Sequence, residues 1–113
     1  MRTWEMSVFG NCIRAEVQPL DNGFDVGIVG GCSTHIGAVS LAEPEGGVQT
    51  VERPGHKDRF VSEPWALRLA KAWSAPVCVR CGIHYDNADR AQIRKILETT
   101  DLLLADILGF LSK

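Results

Sequence analysis

The hydrophobic period of this 113-residue chain first changes near residue 58, and that change constrains the fold more than any other feature. Before it, apolar residues alternate with polar ones. Ile13, Ala15 and Val17 fall on one side and Arg14 and Glu16 on the other, the two-residue repeat of a half-buried strand. After it, Ala66, Leu69, Ala70 and Trp73 recur at i, i+3, i+4 and i+7, the repeat of one helix face. Five strands ahead of the first helix make an α+β chain rather than an alternating α/β one.

The first half predicts strands over 4–9, 12–17, 24–29, 36–42 and 48–52. Gly10-Asn11 and Asp21-Asn22-Gly23 supply turns, because asparagine and glycine tolerate positive φ. A helix then runs to Trp73. Pro64 belongs in a first turn, so the helix starts near Ser62 or follows a short turn. Valine-rich 76–83 is a sixth strand. Asp86 and Asn87 offer N-caps for a helix from Ala88 to about Leu111. Its buried stripe is Ile93, Ile96, Leu97, Thr100, Leu104, Ile107, Leu108 and Leu111. Leu102 and Leu103 widen the stripe, consistent with a homo-oligomer, taken as a dimer. The expected architecture is β-β-β-β-β-α-β-α: a mainly antiparallel sheet of about six strands with two helices packed on one side, in one domain over 1–113.

A net charge of -2 gives no reason to expect a nucleic-acid partner or a polybasic membrane anchor. The longest apolar run, Leu102 to Ala105, is far too short to span a bilayer. The N-terminal stretch lacks the pattern of a secretory signal. The expected location is therefore cytoplasmic, and the four cysteines are expected as reduced thiols. Cys78 and Cys81 are three apart on a strand, so they point to opposite faces and cannot share a metal. Arg53, Lys57, Arg59 and Arg68 form a basic stretch, read either as solvated surface or as an anion site beside His56.

All three histidines lie in short glycine-flanked segments that look like strand ends: His35 in GGCSTHIGA, His56 in RPGHKD and His84 in CGIHYDNA. Histidine suits metal ligation and proton transfer near neutral pH, and junctions are where scaffolds display chemistry. If the three converge, they form one polar site. Gly30 and Gly31 would permit close backbone approach to a ligand, and Lys57 would add a cation. Asp86 would orient His84, and the amides at the helix start near Asn87 would hold an anion. Three imidazoles are also the ligand set of some catalytic metal sites. His35, His56 and His84 are thus candidate ligands of a divalent metal ion, although no H-x-H or H-E-x-x-H pair is present. There is no serine nucleophile elbow, and no pair of carboxylates stands out for acid–base work. The residues leave three functions open: a binding module without turnover, a small metal-dependent enzyme using three histidines, and a structural accessory subunit.

Three strings in order, GGCSTHIGAVSLA, GHKD and GIHYDNA, resemble the small LpdD-like proteins, a prenylated-flavin chaperone family that accompanies UbiD-type aromatic acid decarboxylases. The pattern expected there is close to GG-x-x-P-HIGAVALA, then GHK, then GIH-x-DN. The likeness spans about residues 12 to 108, with Thr34 standing where proline is expected. The resemblance implies binding of prenylated FMN or its FMN-like precursor, no enzymatic turnover, and delivery of the cofactor to an apo-form UbiD-type decarboxylase. The residues that would serve are Gly30, Gly31, His35, His56, Lys57, His84, Asp86 and Asn87, with or without a bridging divalent cation.

Overall fold

The computed structural model describes residues 1–111, Leu111 by its backbone alone. The elements are β1 (Arg2–Val8), β2 (Asn11–Leu20), β3 (Gly23–Gly31), β4 (Ala38–Ala42), β5 (Val48–Glu52), α1 (Arg59–Trp73), β6 (Val77–His84) and α2 (Arg90–Leu111). The six strands form one sheet in the order β1-β2-β3-β6-β4-β5. Only β3 and β6 pair in parallel; the other pairs are antiparallel. Element order, sheet character and helix number are those expected from the sequence.

The alternation in β2 and β6 divides the sheet into two faces. Ile13, Ala15, Val17, Val26, Ile28, Val77 and Val79 are buried in one cluster with Trp65, Leu69, Ile96, Leu103, Leu104 and Ile107 of the helices. Both helices therefore cover the same face. The other face carries ion pairs from Arg14 to Glu16 and from Arg80 to Asp25. It leaves Leu41 and Val51 exposed.

Beyond shifts of a few residues at strand ends, both helix starts and the buried stripe of α2 differ from expectation. Helix α1 begins at Arg59, and Pro64 sits inside it. The missing N–H is tolerated because packing holds the first turn in place. Val61 and Trp65 are buried, and the Ser62 hydroxyl lies 2.8 Å from Ser40 of β4. Helix α2 is capped by Asp89, not by Asp86 or Asn87. The Asp89 carboxylate accepts the Gln92 N–H at 2.8 Å, and the Gln92 side chain accepts the Asp89 N–H at 2.9 Å, a reciprocal capping box. Asp86 and Asn87 form the preceding turn, with Asn87 at φ 56°. The core stripe of α2 includes Leu103, whereas Ile93 and Leu97 stay exposed. The Leu111 side chain lies outside the described residues.

All four cysteines are free thiols. Cys81 is in the core and Cys78 is half-buried on the open face. Burial, reinforced by the adjacent Asp58 carboxylate, pushes the Cys81 thiol far up. A thiolate-directed reagent on the native protein should label Cys12 and Cys32 first and leave Cys81 unmodified. Peptide mass mapping checks this, and early Cys81 labelling would contradict the burial described.

Candidate functional site

The position of β6 between β3 and β4 shapes the site. To pass from β3 to β4, residues 32–37 must cross the end of β6. They lie directly on it: the Cys32 N–H donates to the His84 carbonyl at 2.6 Å, and the Gly37 N–H donates to the Cys81 carbonyl at 2.8 Å. A Cβ on Gly82 would overlap the His35 carbonyl, and a Cβ on Gly37 would overlap the Asp58 carboxylate. Glycine at these two positions lets the three histidine-bearing segments stack.

The result is convergence of the rings. His35 lies 5.1 Å from His56 and 6.3 Å from His84, centroid to centroid. Asp58 ties the segments together. Its carboxylate accepts the Ile83 N–H at 3.0 Å and the Cys81 thiol at 3.7 Å, and pairs with His35 Nε2 at 3.3 Å.

These side chains line a cleft of about 530 Å³. Its polar lining is His35, His56, Lys57, Asp58 and His84, and its apolar lining is Val61, Ile83, Ile93, Ile96 and Leu97, with Tyr85 and Ala88. The N-terminal ends of both helices border the cleft, since Asp58 and Ala88 line it; helix starts carry partial positive charge. A smaller neighbouring hollow, lined by Phe9, Cys32 and Asp86 among others, shares Tyr85 and Ala88 with it.

One nitrogen of each histidine is already engaged, that of His35 by Asp58. His84 Nε2 is 2.9 Å from Asp86, and His56 Nδ1 donates to the Pro54 carbonyl at 3.0 Å. Among the described residues no group of three or more His, Cys, Asp or Glu side chains is arranged to hold a metal ion. The three rings are neighbours without forming such a group, which differs from the expected three-histidine metal set.

A family model described as the prenylated flavin chaperone LpdD-like domain matches residues 8–112. The chain belongs to this LpdD-like family. Protein LpdD of Lactiplantibacillus plantarum is 28% identical over 116 residues, covering 98% of this chain and 85% of that protein. The fold is also similar to a chain in the crystal structure of a chaperone complex for yeast 20S proteasome assembly. The TM-score there is 0.53 at 13% identity, over 98% of this chain and 94% of that one. At that identity the likeness concerns the fold alone.

In this LpdD-like domain the candidate residues separate into two groups. His35, His56, Lys57 and His84 line the cleft. Gly30, Gly31, Asp86 and Asn87 do not. Gly30 is pressed against Cys12 and Ile13 of β2, and Gly31, at φ 87°, against the His84 carbonyl. The pair serves strand packing where close approach to a ligand was expected. Asp86 pairs with His84 and lines the neighbouring hollow instead.

Two further contributors do not stand out as site residues in the sequence. Asp58 is there only a neighbour of His56, yet in the fold it ties β6 and His35 together. Its signal is its place in GHKD immediately before a helix. Tyr85 stands between the two hollows and donates to the Val8 carbonyl at 2.9 Å. Burial, then the Cys32 and Cys12 sulfurs, push its hydroxyl up, which keeps it a donor.

Proposed function

We propose that this protein binds prenylated FMN, or its FMN-like precursor, and delivers it to the apo form of a UbiD-type decarboxylase without turnover of its own. The observation that carries the reading is a cleft lined by both cationic or polar and apolar side chains. A phosphorylated flavin has an anionic end and a flat, largely apolar end. His35, His56, Lys57 and His84 suit the phosphate, and Val61, Ile83, Ile93, Ile96 and Leu97 suit the ring. A volume of 530 Å³ lies within the range of roughly 300–1,000 Å³ usual for cofactor-sized ligands. Membership of a family described by prenylated-flavin chaperoning selects the flavin among phosphorylated ligands. An open cleft with exposed Ile93 and Leu97 at its rim also fits a cargo that must leave again.

The test is equilibrium titration of FMN and of prenylated FMN, with and without divalent cation, followed by transfer to an apo-decarboxylase. Saturable binding that does not need the cation is expected, and the loaded protein should restore decarboxylase activity faster than free cofactor. Absence of binding by either flavin would overturn the reading. Sedimentation in the same buffers tests the expected dimer, for which Leu102 on α2 is exposed.

A further inference from the structure

Asp58 is the one charged residue buried among the described residues, at 8% exposure. A carboxylate out of water is costly unless hydrogen-bonded and paired, and the partners of Asp58 are all donors. Oδ1 takes the Ile83 N–H and the Cys81 thiol. Oδ2 is left for His35 Nε2. Gly37, which has no side chain to clash, lets the carboxylate reach this position.

We infer that Asp58 is a positioning residue of the cleft: it keeps a proton on Nε2 of His35 and offsets that ring's positive charge, so that Nδ1–H is presented to a ligand phosphate. An ionised carboxylate only accepts hydrogen bonds, so the nitrogen facing Asp58 must carry the hydrogen. A phosphate also only accepts, so gripping it requires a hydrogen on Nδ1 as well. The ligand therefore selects the doubly protonated ring, and the buried carboxylate behind it compensates the charge. The His84–Asp86 pair has the same composition but not the same strength. Its side chains are 52% and 70% exposed, against 19% and 8% for His35 and Asp58, and solvent screens such a pair.

The phosphate ligand rests on the cofactor reading above, but the proton on Nε2 does not depend on it. The experiment combines 15N NMR of the imidazole nitrogens, without ligand, and titration of FMN and of inorganic phosphate. The proteins are wild type, Asp58→Asn, His35→Ala and the double variant. In wild type, Nε2 of His35 should be protonated. In Asp58→Asn, the amide oxygen stays with the Ile83 N–H and the NH2 group faces His35, so the ring proton should move to Nδ1. FMN affinity should then fall roughly tenfold, as a charge-assisted contact becomes a neutral one. In the His35→Ala background, Asp58→Asn should change affinity by less than about twofold, because the effect passes through the ring. An unprotonated Nε2 in wild type, or an equal loss of affinity in both backgrounds, would overturn the assignment. Failure of wild type to bind FMN would defeat the cofactor reading, while the NMR result would still decide the role of Asp58. If Asp58→Asn does not fold, the wild-type ring spectrum decides by itself: a protonated Nε2 supports the assignment and an unprotonated one defeats it.

Discussion

Replacing His84 with alanine is expected to weaken flavin binding roughly tenfold to a hundredfold, the cost of losing one charge-assisted hydrogen bond. Cys78→Ala should leave affinity unchanged. His84 ends β6 on the cleft lining, its ring 6.3 Å from His35, and on the proposed reading the two share the ligand phosphate. Cys78 lies on the same strand but does not line the cleft. Truncating it affects only packing on the open face. Equilibrium titration of FMN into both variants, with melting curves as the control for folding, makes the comparison. Equal affinity for His84→Ala and wild type would leave His84 a strand-end residue held by Asp86, and would favour an accessory-subunit role over cofactor binding.

Gly82→Ala should be the most damaging single methyl in the chain. The added carbon would overlap the carbonyl of His35 and lie 3.2 Å from the Ile36 nitrogen. The obstacle is backbone, and it belongs to a loop pinned on both sides by hydrogen bonds to β6. A rotamer change cannot relieve the overlap. The loop must lift or β6 must shift. Overpacking of this kind costs about 3 kcal/mol or more, a large share of the ~5–15 kcal/mol that holds a domain together. The variant should show a clearly lower denaturant midpoint and impaired flavin binding, because the displaced loop carries His35. Gly109→Ala is the matched control. Nothing lies within 4 Å of its added carbon on α2, and removing a helical glycine should stabilise the protein by roughly 0.5–1 kcal/mol. A Gly82→Ala protein as stable as wild type would mean that the loop does not rest on β6 as described.

The elements of this fold are legible in the chain because both hydrophobic periods are local. Ile13-Ala15-Val17 must share a strand face, and Ala66-Leu69-Ala70-Trp73 a helix face, whatever surrounds them. The three histidines are likewise legible as standing at element ends, since the glycines beside them break each pattern. The order of the strands is not a local property. The insertion of β6 between β3 and β4 is a matter of pairing between residues some fifty positions apart, as in Val26 with Val79. That insertion alone carries the His35 loop over His84. The glycines of the three strings matter for the same reason: Gly37 and Gly82 make room for Asp58 and for the His35 backbone, atoms distant in the chain. Pro64 inside α1 and the choice of Asp89 as cap follow the same logic, with tertiary packing in the first case and a reciprocal hydrogen bond in the second overriding the nearest local signal. Asp58 shows the limit most clearly. In the chain it is one acid beside a basic stretch, and only burial against β6 and His35 makes it part of the site.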